Sequence, residues 1–275
     1  MTFQNIKFEK EENIAIITLN RPKNLNALSR DLMGELEAAL ADINKDPNIV
    51  AYVITGGPRV DGRPCFCAGA DLKQENTETR STEQIIFDTL ISMSHGRNDT
   101  GLSGSRSVFD DLCNLSKISI AAVDGVCTAG GLELALSCDI ILVSETAMIS
   151  DLHVKNLGLI GGAAATTRLA RRVGVSKAIE LTTTCDVIDG KEAYRIHFAN
   201  QVYAPEKLIE GAKAMAKRIA IQRPMAVAMA KATCKAIYDM DYNMAYRYTD
   251  ACSMAIHLGE MEWRDKHGGF KGAKV

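Results

Sequence analysis

Between Ala121 and Asp139 the sequence runs A-A-V-D-G-V-C-T-A-G-G-L-E-L-A-L-S-C-D, and the part with the means to do chemistry is G-G-L-E, Gly130 to Glu133. Two glycines at a helix start let the backbone come close to a ligand. The free N–H groups there, with the helix dipole behind them, favour a negatively charged oxygen. Glu133 follows Gly130 by three positions, so the two share one helix face. A main-chain donor and a carboxylate therefore look toward one spot, the first suited to hold a developing oxyanion, the second to move a proton. The blander reading is a first-turn glutamate stabilised by the macrodipole by roughly 0.3 to 1 kcal/mol, with no chemical task. Against it, Leu132, Leu134, Ala135 and Leu136 make the helix apolar on nearly every side, as buried helices are. A carboxylate in such a place is costly unless paired or protonated, and groups of that kind gather at functional sites.

The elements that must position this pair follow from the flanking pattern. Ile118 to Val123 is an apolar run of strand type and Asp124-Gly125 its turn, giving strand, turn, helix. Upstream, F-C-A-G-A-D-L-K from Phe66 to Lys73 places Gly69 at a second point of close backbone approach, the other half of an oxyanion hole, although taken singly such a glycine is a turn residue. Phe3 to Phe8 and Ile14 to Leu19 read as a hairpin around Glu11-Glu12-Asn13. Ser29 caps a helix from Arg30 to Asn44 with Leu32, Leu36, Ala39, Leu40 and Ile43 on one face, and Ala51 to Thr55 is the next strand. The long excursion from 74 to 117 reads as a helix over Glu83 to Met93, a loop from His95 to Ser107 and a helix over Val108 to Leu115, serving as a lid or as plain surface. Strands follow at Ile140 to Ser144 and Ala147 to Ile149, helices at Ala163 to Arg172 and Ser176 to Thr183, and beyond Pro205 the pattern is helical only. The expected division is an α/β core over residues 1–203 and a helical region over 204–275.

Composition excludes several classes. With 32 basic and 34 acidic residues well mixed, net charge −2, there is no basic field for nucleic acid or an anionic membrane. No apolar run approaches the roughly 18 residues needed to span a bilayer, and no early apolar segment follows a charged start, so a cytoplasmic protein is expected. Eight scattered cysteines, Cys127, Cys138 and Cys234 among them, read as small buried hydrophobes in a reducing compartment; Cys65 and Cys67 lack the second pair a zinc site needs, and no metal is expected.

Taken in order, L-N-R-P-x-x-x-N-A-L at Leu19 to Leu28, F-C-A-G-A-D-L at Phe66 to Leu72, the G-G-x-E stretch with its C-D, and T-R-L at Thr167 to Leu169 before R-R-V-G resemble the crotonase (enoyl-CoA hydratase/isomerase) superfamily over nearly the whole chain. The resemblance implies a spiral of ββα units with a helical C-terminal trimerisation region, assembled as homotrimer or homohexamer. It implies an acyl-CoA thioester as substrate, without metal or redox cofactor. The backbone N–H groups of Ala70 and Gly130 match the family's oxyanion hole, and Glu133 its first catalytic glutamate. Ala68, Asp71, Leu72 and Lys73 fall where the family contacts CoA, and Phe270 and Lys271 correspond to C-terminal residues near it. The second glutamate falls, counting back from Thr166-Thr167-Arg168-Leu169, on Val154, which exchanges no proton. Asp151 is the substitute taken here, with a helix cap or turn as its blander reading; His153 and His95 are the others. The expected activity is hydration of a conjugated, possibly cyclic, enoyl- or dienoyl-CoA. The alternatives are isomerisation, C–C hydrolysis of a ketoacyl-CoA, and a CoA-binding protein without turnover.

Overall fold

A polar pair, Glu12-Asn13, interrupts two alternating runs, and the chain reverses there: β1 (Ile6–Glu11) pairs antiparallel with β2 (Ile14–Leu19). The computed structural model describes residues 3–73 and 105–257 together with Ser81, Glu83, Trp263, Arg264 and Lys266. The first strand starts later than the apolar pattern suggests. The N–H groups of Gln4, Asn5 and Ile6 donate to the Glu35 carboxylate at 3.0, 2.8 and 3.1 Å, and Phe3 turns back edge-on against Phe8. Glu35 sits on α1 (Arg30–Lys45), which begins where Ser29 Oγ accepts the Leu32 N–H at 3.2 Å and buries Leu32, Met33, Leu36, Ala39, Leu40 and Ile43.

From α1 onward the chain lays a strand into a large sheet, then a short strand into a small one, then a helix. The large-sheet strands are β3 (Ala51–Gly56), β5 (Ile118–Val123), β7 (Ile140–Ser144) and β9 (Gln201–Tyr203); the short ones are β4 (Cys65–Cys67), β6 (Val126–Thr128) and β8 (Met148–Ser150). The large sheet runs β1-β2-β3-β5-β7-β9, parallel from β2 on, and the small one β4-β6-β8, wholly parallel. Parallel neighbours in both sheets, with helices between, make this the ββα spiral expected from the resemblance. Three-residue β4 and β6 escape a sequence reading, because two or three residues cannot display a period.

The large sheet is apolar on both faces, as parallel sheets with covered faces are. One set of alternate residues, including Ile17, Tyr52, Ile54, Ala121 and Val123, packs under α1, α2 (Ser105–Asn114) and α3 (Gly130–Ser137). The other set, including Ile14, Ile16, Val53, Ile120 and Leu142, meets Leu208, Ala212 and Ala216 of a long helix, Leu208–Ala220. Between β8 and β9 lie α4 (His153–Leu157), α5 (Ala165–Val173), α6 (Val175–Thr184) and α7 (Gly190–Arg195), which makes the long helix α8; α9 (Pro224–Ala236) and α10 (Tyr242–His257) follow. The expected helix at Glu83 to Met93, and His95, Phe270 and Lys271, lie outside the described residues. Cys127 and Cys138 are buried as expected; Cys234, on α9, is exposed instead.

Candidate functional site

The local sequence bends the backbone so that two amide groups meet. Gly69 has φ +109°, a conformation that suits glycine, and its carbonyl accepts the Leu28 N–H at 2.8 Å while the Asp71 N–H donates to Leu28 O at 3.0 Å. With both flanking groups turned to Leu28, the Ala70 N–H faces the opposite way, toward the start of α3. There Ala129 holds φ 49°, ψ −120°, a strained geometry for a residue with a side chain that costs about 1 to 3 kcal/mol. Its N–H bond to Ser150 O at 3.3 Å and its carbonyl bond from the Glu133 N–H at 3.0 Å hold it. Thr128 Oγ1 donates to Ala68 O at 3.1 Å and ties β6 to the Gly69 loop.

The two amides are neighbours. A Cβ on Gly69 would lie 3.2 Å from the Gly130 nitrogen, and one on Gly130 3.2 Å from the Ala70 nitrogen. Among the described residues neither N–H donates a hydrogen bond within the chain. A carbonyl oxygen seated between them would receive both. Gly131, next in line, packs so tightly that a Cβ would come within 2.1 Å of Cys67 O; this contact keeps α3 against β4.

Glu133 projects from a helix whose eight residues are all buried, and is itself 8% exposed. Burial pushes its carboxyl above the usual range, with His153 and the Gly162 amide drawing it partly back. Its Oε1 has no hydrogen-bond partner among the described residues, and the nearest cation-capable atom is His153 Nε2 at 3.5 Å. Asp151 does not stand beside Glu133: its Oδ1 accepts the His153 N–H at 3.1 Å and contacts His153 Nδ1 at 2.7 Å. Burial acts to raise Asp151, but these two bonds outweigh it and hold the carboxyl below its ordinary value; in turn the Asp151 hydrogen bond raises the His153 imidazole. His153, one of three substitutes the sequence offers, is thus the residue brought to Glu133, and Asp151 both makes the turn and orients the ring. Val154 points outward, 37% exposed. Gly161 borders the pair, where a Cβ would lie 2.9 Å from Glu133 Oε1 and 3.0 Å from the His153 ring.

The remaining expected contacts line the loop after β4. Leu72 and Lys73 are exposed, Ala68 is half-buried with its N–H on Leu25 O at 3.1 Å, and the Asp71 carboxylate is engaged by Arg21 at 2.8 Å. That ion pair is absent from a sequence reading, since nothing in spacing joins Arg21 to Asp71 before the loop is folded. No cluster of His, Cys, Asp or Glu suited to a metal ion occurs among the described residues, and none of their helices is long and apolar enough to cross a membrane. Burial pushes the Cys65 and Cys67 thiols up to about 11 and about 12.

Comparison with known proteins finds relatives along nearly the whole chain. The family model described as enoyl-CoA hydratase/isomerase matches residues 9–262. A crotonyl-CoA hydratase of Syntrophomonas wolfei is 36% identical over 245 residues, 89% of this chain and 86% of the relative. The crystal structure of an enoyl-CoA hydratase from Bacillus anthracis superposes with a TM-score of 0.81 at 30% identity, covering 98% of this chain and all of that one (100%). A putative enoyl-CoA hydratase from Thermobifida fusca, solved in complex with CoA, gives 0.76 at 26% identity over 94% of each chain. Fold, ordered motifs and a match along nearly the full length together make this chain a member of the enoyl-CoA hydratase/isomerase family, and so an enzyme of the crotonase superfamily.

Proposed function

We propose that this protein adds water across a conjugated double bond of an acyl-CoA. The observation that supports it most is the juxtaposition of a buried, unpartnered Glu133 oxygen with two main-chain N–H groups that have no partner within the described chain. In this reading the thioester oxygen sits between the Ala70 and Gly130 amides. Glu133 takes a proton from water, the water oxygen bonds to the β-carbon, and the electron pair moves onto the thioester oxygen as an enolate held by the two amides. One such donor is worth roughly 10² to 10³ in kcat. The loop bearing Ala68, Asp71, Leu72 and Lys73 holds CoA, with Arg21 fixing Asp71 so that the loop keeps its shape. Adding water is redox-neutral, and the steps written here call on no metal or redox group.

The acyl group follows from position 154. An exposed valine gives no proton to the α-carbon, so an acyl chain whose enolate spreads over a conjugated or cyclic diene, open to protonation farther along, suits this site. Purified protein given crotonyl-CoA and a cyclic dienoyl-CoA separately, with products weighed by mass spectrometry, tests both levels. Hydration adds the mass of water, isomerisation adds nothing, and ring opening adds water while splitting a carbon–carbon bond. Faster hydration of the cyclic substrate is expected. Equal or faster turnover of crotonyl-CoA removes the diene preference, and water added to neither removes hydration.

Gly161→Ala probes the geometry from the other side. The methyl group must displace the Glu133 carboxylate or the His153 ring, both far ends of side chains, so the fold tolerates it. Since misplacing a reacting group by about 1 Å costs on the order of 10²-fold, hydration is expected to fall roughly that far with the melting temperature little changed. Wild-type kcat in this variant would detach the Glu133 position from turnover.

A further inference from the structure

Adding water takes two proton movements, one off the water and one onto carbon, and Glu133 accounts for the first. The second has an owner in the same cluster. His153 opens α4 with its ring turned inward, 9% exposed, while Val154 beside it faces out. Asp151 Oδ1 receives both the His153 main-chain N–H and ring Nδ1, which leaves Nε2 as the free ring nitrogen. That nitrogen lies 3.5 Å from Glu133 Oε1, the oxygen with no hydrogen-bond partner among the described residues. Glycine at 161 leaves one side of the pair free of any side chain.

We infer that His153, oriented by Asp151 and facing Glu133, is the acid that gives a proton to the carbon at which the extended enolate is open to protonation, so that Glu133 and His153 together move the two protons that the family pattern assigns to a pair of carboxylates. This rests on the hydration reading above and deepens it. The protons balance within the site. Glu133 accepts one from water as the oxygen bonds to carbon; the imidazolium Nε2–H gives one to the carbanionic carbon, whose electron pair forms the new C–H bond; the protonated Glu133 then returns its proton to Nε2. Water ends divided between the two carbons and both side chains regain their starting forms. Asp151 is a positioning residue, fixing the tautomer through Nδ1–H. The charged groups facing the cluster are Asp151 and Glu133, with Arg168 of α5 acting on Glu133 at longer range. The Asp151 hydrogen bond, with the charges of Glu133 and Asp151, outweighs burial and holds the imidazole above its ordinary value of 6.5.

The experiment combines the pH profile of kcat with an NMR titration of ¹⁵N-histidine-labelled protein, in which the five histidine signals are sorted by the loss of one in His153→Gln. Expected is a His153 signal titrating above 6.5 whose midpoint falls in both Glu133→Gln and Asp151→Asn. Hydration is expected to drop on the order of 10²-fold in His153→Gln, with loss of the basic limb of the profile and little change in KM. Should His153→Gln fail to fold, Asp151→Asn decides: its basic limb moves to lower pH. A His153 midpoint indifferent to Glu133→Gln overturns the inference, as does kcat within threefold of wild type in a folded His153→Gln. If the wild-type protein hydrates nothing while the titrations remain coupled, the hydration reading fails and the donor role fails with it; if it hydrates and the coupling is missing, only the inference fails.

Discussion

Glu133→Gln is expected to lower kcat for hydration by roughly 10³-fold while leaving CoA-thioester affinity within about threefold, since in the proposed reaction the side chain moves a proton and does not hold the substrate. The same replacement is expected to stabilise the fold at neutral pH. Burial raises the carboxyl above its ordinary 4.5, so the folded chain binds more protons than the unfolded chain between 4.5 and that raised value. Stability therefore declines as pH rises through this window and stays lower above it; below 4.5 the carboxyl is protonated in both states and the handicap vanishes. Glutamine, neutral throughout, escapes the decline. Paired melting curves at pH 4 and pH 7 alongside the kinetics check both halves. A variant that turns over like wild type takes Glu133 out of the reaction, and one that is less stable than wild type at pH 7 would mean that His153 gains more from the carboxylate than burial takes away.

Asp139→Ala is expected to destabilise the protein by about 3 to 5 kcal/mol, the range for breaking one side of a buried ion pair. Asp139 stands where α3 hands over to β7, and its carboxylate accepts the Ser119 N–H at 3.0 Å and Oγ–H at 2.9 Å. The same carboxylate meets Lys231 Nζ at 2.7 Å and Lys235 Nζ at 2.8 Å. The Lys231 side chain is 6% exposed, and burial already draws its ammonium below its ordinary 10.5. Without Asp139 that charge is left unpaired in a cavity of about 630 Å³ between core and α9, which also holds Arg168, Arg171 and Arg172. The sign with pH is set by the lysine. A lowered folded value means the charged form is disfavoured in the fold, so the variant regains stability as pH rises from that value toward 10.5. Urea unfolding of wild type and variant at pH 7 and pH 9 measures this; a difference under about 0.5 kcal/mol at pH 7, the size of an ordinary surface substitution, would show that Asp139 does not fasten α9 to the core.

What the sequence made legible was whatever announces itself within a few residues. Ser29 and the Leu32 to Ile43 stripe specify α1 almost to the residue, and Ile118 to Val123 coincides with β5. The uniformly apolar α3 is buried as read, with Glu133 inside it. What escaped depends on distant partners. β4 and β6 are too short to show alternation and exist because they pair with each other. The start of β1 is decided by Glu35 from α1. Ala129 carries a backbone twist for which alanine gives no cue, and Arg21 finds Asp71 only once the Gly69 loop has turned. Near Glu133, spacing favoured Asp151 as its companion, yet the turn from Asp151 to His153 puts the ring between them. Facing is set by φ and ψ over two residues, which residue type alone does not fix.

The long helix over Leu208–Ala220 lies against one whole side of the large sheet. A chain ended after Tyr203 would therefore present Ile14, Ile16, Val53, Ile120 and Leu142 to water as one greasy slab, large enough to drive self-adhesion. The α/β half of the molecule cannot be trimmed free of its tail, and shortening it for engineering has to spare α9 as well, whose Lys231 and Lys235 meet the Asp139 carboxylate.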